Sequence, residues 1–278
     1  MREETFKGVG GLSIFFRSWH PDIQARGVVV IAPGFNSHSG HYVWVGRDLA
    51  ANGLVVYAID HRGRGRSEGE RFYVDSFADY AADLATLIAT CRQRNPGLPI
   101  FLLGHSAGGV VACLYTLDHQ EELAGLICES FAYQVPAPDF ALAVLKGLSH
   151  IVPHAHVLKL KNEDFSRDPN VVGQMNEDPL IAGETQPTKT VAEMVRADER
   201  LTDGFPRITV PLLILHGTAD RATKPAGSQL FHDTAGSKDK TLKLYEGHYH
   251  DLLNDIGKEA VLGDIKDWIF ARVGARGE

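Results

Sequence analysis

Short apolar runs separated by polar, glycine-bearing loops recur along the whole chain. Residues 27–31 hold Val28, Val29, Val30 and Ile31 without interruption, and 54–59, 99–103, 123–128, 211–215 and 241–245 are further short runs. An unbroken β-branched run is a strand covered on both faces, which belongs to the interior of a mostly parallel sheet. At the amino end, 5–9 and 12–19 flank Gly10-Gly11 and predict a hairpin, which brings the expected sheet to eight strands. Helical periodicity fills the gaps. It runs over 41–52, and through Phe77, Tyr80, Ala81, Leu84, Leu87, Ile88 and Cys91 up to Asn95-Pro96-Gly97; it returns over 110–117 and 262–273. Strands alternating with helices predict an α/β fold around one sheet. The rhythm breaks once. About eighty residues separate Glu129 from Pro211, where a parallel crossover needs roughly a dozen. Apolar pieces at 140–145, 148–152 and 191–195 predict a helical cap inserted after the sixth strand. The expected division is a core of 1–130 and 206–278 and a cap of 131–205, placed over the carboxyl edge where open α/β sheets bind ligands.

The chemistry starts at Gly104-His105-Ser106-Ala107-Gly108-Gly109, a G-x-S-x-G between the fifth strand and an apolar helix. That context defines a nucleophile elbow, in which a serine on a sharp turn stands out at the sheet edge. Ala107 opens the helix, so its N–H has no partner within it and is available to a developing oxyanion. A glycine-rich turn without chemistry is the competing reading, and the rest of the chain decides. A serine hydroxyl needs a base, and the base needs an orienting acid. Where the elbow occurs, the acid and then the histidine follow the serine along the chain. His216-Gly217-Thr218-Ala219-Asp220 leaves the seventh strand and offers Asp220, which as a bland alternative would be a turn residue or helix cap. Tyr245-Glu246-Gly247-His248-Tyr249-His250 leaves the eighth and offers two histidines. His-x-His also suggests a metal, but no third ligand of matching spacing is evident, so neither metal nor cofactor is expected.

With these motifs the chain resembles the monoacylglycerol lipase and lysophospholipase branch of the α/β-hydrolases. The resemblance also rests on 60–69, on His38-Ser39-Gly40-His41-Tyr42 and on Asp178-Pro179-Leu180, and it runs nearly end to end. It implies that His250, not His248, is the base. It implies a second oxyanion amide on the residue after Pro33-Gly34, which is Phe35. The chain departs from the family pattern at Pro33, Ser37 and His41, positions that some relatives use near the substrate's glycerol end. Ser37 and His41 are therefore candidate head-group contacts; Glu129, at the sheet's carboxyl edge, is a third, with a solvated or salt-bridged loop residue as its equal alternative. The implied activity is serine ester hydrolysis of a hydrophobic acyl ester. A same-fold aminopeptidase, thioesterase or acyltransferase is the alternative, followed by a non-catalytic ligand receptor.

Composition narrows the partners. The formal charge of −7 over 278 residues gives no footprint for nucleic acid. Cys91, Cys113 and Cys128 lie in apolar segments and read as reduced core residues, and the amino terminus lacks a signal-like apolar stretch, so a cytoplasmic protein is expected. The three arginines of 60–69 invite a phosphate reading. A structural turn, with Asp60 and Ser67 bonding loop amides, is the reading preferred. His150, His154 and His156 are expected at the surface. The apolar face of 140–152 either closes the core or docks on a membrane or micelle.

Overall fold

Sheet hydrogen bonding orders the strands β1 (Arg2–Lys7), β2 (Ser13–Trp19), β4 (Leu54–Ile59), β3 (Gly27–Ala32), β5 (Ile100–His105), β6 (Gly125–Glu129), β9 (Leu212–Gly217) and β10 (Lys240–Tyr245). The computed structural model describes residues 1–133 and 139–273; residues 134–138 of the expected cap and 274–278 of the expected core lie outside them. Only β2 runs against the other strands of this sheet, pairing antiparallel with β1 and β4. The amino-terminal hairpin and the count of eight strands match the hydrophobic pattern, but the first strand, expected over 5–9, spans Arg2–Lys7, and Val9 already belongs to a 3-10 turn.

The β-branched run of β3 feeds two cores at once. Val28 and Val30 pack into the cluster on one face, Val29 and Ile31 into the cluster on the other, because successive side chains of a strand point opposite ways. Helices α1 (Val43–Ala51) and α8 (Lys258–Val273) cover one face. Helices α2 (Phe77–Arg94) and α3 (Ala107–His119) cover the other, and α3 is buried along almost its whole length. Ser76 caps α2 by accepting from the Ala78 N–H. The helix expected over 41–52 begins instead as a 3-10 turn at Ser39–Tyr42, with His38 as its cap.

Between β6 and β9 lie α4 (Asp139–Leu148), α5 (Pro169–Glu177) and α6 (Thr188–Gly204), with α7 (Pro225–Thr234) following β9. The apolar pieces predict a helical segment, and the structure adds strands to its helices. His156–Leu158 and Gln186–Pro187 pair as a short antiparallel ribbon, β7 and β8. Helix α5 escapes the hydrophobic pattern because Met175 is its one buried residue, and its start is set by Asp168 as cap and Pro169 in the first turn.

Candidate active site

The β5–α3 turn places Ser106 at φ 53°, ψ −122°, a left-handed conformation that few non-glycine residues adopt. Main-chain bonds hold it there: the Ser106 N–H donates to Glu129 O at 2.9 Å, and Gly109 N–H donates to Ser106 O at 2.9 Å. Gly108 has a steric reason to be glycine. A Cβ there would stand 2.0 Å from Ala32 O and 2.4 Å from Pro33 O. The elbow therefore presses against the end of β3, which brings the following loop and Phe35 beside Ser106. Among the described residues, neither the Phe35 nor the Ala107 N–H donates to another group. Phe35, Ser106 and Ala107 line one cavity of about 350 Å³.

The loop after β9 carries Asp220. Its Oδ1 accepts from the N–H groups of Ala222 (2.8 Å) and Thr223 (2.9 Å). Its Oδ2 lies 2.8 Å from His250 Nδ1, and Thr223 Oγ1 donates to it at 2.8 Å. Burial opposes the charge, but His250 and His216 beside it outweigh burial and hold this carboxyl far below the usual carboxylate range. His250 is fully buried between the rings of His105 and Phe165, each 4.9 Å away, and its Nε2 has no hydrogen-bond partner among the described residues. Asp220 thus takes one ring nitrogen and leaves the other free, the arrangement a general base requires. The structure also separates the two histidines that spacing left open. His248 faces Asp255 at 3.9 Å, not Asp220.

His216 was legible as part of a motif but not as a partner. Its Nε2 lies 2.9 Å from Asp220 Oδ2 and its Nδ1 2.7 Å from Ser228 Oγ. Arg64 and Glu184, which meet behind Phe35, were missed as well, since 120 residues separate them.

None of the three expected head-group contacts, Ser37, His41 and Glu129, lines the cavity at Ser106. Glu129 is buried behind the elbow and accepts from the Leu253 N–H at 3.2 Å; burial pushes its carboxyl well above the usual range. His41 is engaged by Asp178 at 3.0 Å, as is His38 at 2.8 Å, and Ser37 Oγ lies 3.3 Å from His41 Nδ1. The cavity wall comes instead from the segment between β6 and β9, through Leu158, Leu160, Phe165 and Met194, with Lys159, Lys161 and Arg221 also lining it.

The loop 60–69 is a turn built on Asp60, whose carboxylate accepts from the N–H groups of Ser39 (2.7 Å) and Arg66 (2.8 Å). Its arginines are paired: Arg62 with Asp83, Arg64 with Glu184 and Arg66 with Glu3. His150, His154 and His156 are exposed. Among the described residues, three groups have metal-ligand atoms within 4.8 Å of one another, namely His38–His41–Asp178, His105–Glu129–Asp251 and His119–Glu121–Glu122, and none contains His248 or His250.

An eight-stranded, mostly parallel sheet carrying a strained serine on its strand–helix turn, with an Asp–His pair on the last two loops, defines an α/β-hydrolase. The chain belongs to the family described as serine aminopeptidase, S33, whose model matches residues 23–257. It is 35% identical over 275 residues to a monoacylglycerol lipase of Mycolicibacterium smegmatis, covering 98% of both chains. It is 33% identical over 272 residues to the human monoglyceride lipase, covering 96% of this chain and 90% of that one. The crystal structure of the Paleococcus ferrophilus monoacylglycerol lipase superposes with a TM-score of 0.84 at 30% identity, covering 93% of this chain and 99% of the other.

Proposed function

We propose that the protein hydrolyses a hydrophobic acyl ester of the monoacylglycerol or lysophospholipid type, with Ser106 as nucleophile, His250 as base and Asp220 as the acid that orients it. His250 Nε2 takes the Ser106 proton as Oγ attacks the carbonyl carbon. The N–H groups of Phe35 and Ala107 receive the oxyanion, a donor pair of which each member typically contributes about 3 kcal/mol to the transition state. His250 then protonates the leaving alcohol, and water repeats the sequence on the acyl-enzyme. Segment 131–205 acts as a cap over the core of 1–130 and 206–278, and the described part of it supplies the apolar wall for the acyl chain. The observation that carries this reading is the 2.8 Å contact of His250 Nδ1 with Asp220, beside a cavity lined by both Ser106 and Thr223.

The family's name refers to an amide bond, whereas the relatives' names refer to esters. The ester reading follows the relatives because they match nearly end to end. One acyl group presented as ester, amide and thioester tests it, with Ser106→Ala as control. The ester is expected to be the preferred substrate, and the variant is expected to lose at least ~10⁴-fold in turnover while keeping its fold. Faster amide cleavage would redirect the assignment to a peptidase, and turnover by Ser106→Ala would remove Ser106 from it.

Two further parts of the reading concern surroundings. The exposed apolar face of α4 supports contact with a membrane or micelle that delivers the substrate. Cys91, Cys113 and Cys128 are free and buried, which supports a reducing, cytoplasmic setting.

A further inference from the structure

The two N–H groups assigned to the oxyanion are held in different ways. Ala107 is fixed by the elbow itself. Phe35 sits in a loop whose next residue, Asn36, has a left-handed φ of 52°, so the loop needs outside contacts to stay in register. Those contacts come from a buried charge pair. Glu184 Oε1 accepts from the Asn36 N–H at 3.0 Å and from Gln186 Nε2 at 2.7 Å, and it pairs with Arg64 Nη1. Arg64 Nη2 donates to Gln186 Oε1 at 2.6 Å, and its guanidinium lies 4.1 Å from the centre of the Phe35 ring. Arg64 and Glu184 are both almost wholly buried. Asn36 Nδ2 adds a bond to Asn162 Oδ1 at 2.9 Å.

We propose that Glu184, paired with Arg64, is a positioning residue that aims the Phe35 N–H at the oxyanion and so couples the segment between β6 and β9 to catalysis. The argument is geometric. The Asn36 N–H belongs to the peptide that follows Phe35, and a charge-assisted bond to a buried carboxylate fixes that peptide's orientation. Turning the peptide over would leave Glu184 with one donor fewer in a site closed to water, which is costly. The Arg64 plane over the Phe35 ring clamps the other side of the same residue. A carboxylate supplied from 148 residues away thus completes what the loop's own sequence leaves loose. Neither Glu184 nor Arg64 touches the reacting atoms.

The inference rests on the reading of Phe35 as an oxyanion donor, and the experiment keeps the two apart. If the wild-type protein does not hydrolyse esters through Ser106, the functional reading fails; if it does, the Glu184→Gln variant tests the positioning role alone. That variant is expected to lose about tenfold in kcat with KM within twofold. Its affinity for butaneboronic acid, whose Ser106 adduct places an oxygen in the oxyanion site, should fall by a similar factor. Wild-type kcat and boronate affinity in folded Glu184→Gln, or a change confined to KM, would overturn the proposal. Should that variant not fold, the Arg64→Met/Glu184→Leu pair, which removes both charges at once, is judged by the same criterion. In the unmutated protein the Asn36 amide proton should resonate downfield and resist exchange; rapid exchange there would overturn the proposal without any substitution.

Discussion

The two walls of the cavity differ in almost every physical respect. The inner wall is made of strand ends and tight turns, where main-chain atoms meet at contact distance and titratable groups are sealed from water. The outer wall, supplied by the segment between β6 and β9, carries Lys159 and Lys161 beside its apolar residues, and the same segment leaves apolar side chains of α4 in solvent away from the cavity. The inner wall holds the groups assigned to bond breaking, which must not move. The outer wall holds those assigned to the substrate, which must be admitted and released. Rigidity at one and exposure at the other are what the two tasks demand.

A single methyl group distinguishes the walls most sharply. In Gly108→Ala the new Cβ meets two backbone oxygens of β3 and its loop, at 2.0 and 2.4 Å, and neither can yield without moving the strand. The expected cost is about 3 kcal/mol of stability, and displacement of Ser106 should lower kcat/KM by about 100-fold. In Gly147→Ala, on exposed α4, nothing lies within 4 Å of the new atom, and the helix gains about 0.5–1 kcal/mol from the better helix former. Thermal unfolding of both variants beside ester kinetics checks the pair. Equal effects would erase the contrast.

The same difference explains what the sequence made legible. The inner wall is written locally: each strand is an apolar run, and the elbow, Asp220 and the His248–His250 loop each follow one directly. The outer wall is written in contacts across the chain, and short-range pattern does not encode those. Leu158 reaches the cavity from β7, whose pairing with β8 neither propensity nor period announces, and Phe165 and Met194 come to the same cavity from elements well apart in the chain. The ion pair of Arg64 and Glu184 has no local signal at all. Glu129 illustrates the same point. Its place at the sheet's carboxyl edge was readable, but the side on which its carboxylate would find a partner depended on Leu253.

Glu129 also gives the inner wall a signature in pH. Its carboxyl is pushed above its ordinary value by burial first and by Asp251 second, so the folded state binds a proton that the unfolded chain has released. The sign follows. The stability that this group contributes is fully present below about pH 4.5 and is lost as pH rises toward the folded-state value. Glu129→Gln has no proton to lose. Relative to it, the wild-type protein should weaken by about 1.4 kcal/mol for each pH unit above pH 4.5 until that value is reached. His105, pushed down to about 4 by burial, and His61, pushed down to about 3, titrate in both proteins and drop out of the difference. Urea unfolding at pH 5, 6 and 7 reads the gap, and a constant gap would mean that Glu129 is ionised throughout.

The smallest expected effect lies on α4, in the segment that also supplies the outer wall, and depends on how the substrate is presented. Phe140, Val144 and Leu148 recur every four residues and so share one face of α4, and Ile151 and Val152 extend it; Phe140 is 73% and Ile151 77% exposed. Each such side chain gains about 1.5–3 kcal/mol on leaving water completely, less for partial insertion, so the face binds a lipid surface weakly and reversibly. Ile151→Glu replaces one of these contacts with a charge. It should lower the hydrolysis of a long-chain ester carried in phosphatidylcholine vesicles by about fivefold, or ~1 kcal/mol of lost surface affinity. Hydrolysis of a soluble short-chain ester should stay within twofold of wild type, because Ile151 does not line the cavity at Ser106. Equal losses on both substrates would place the effect on the inner wall through folding, and no loss on vesicles would remove α4 from substrate delivery.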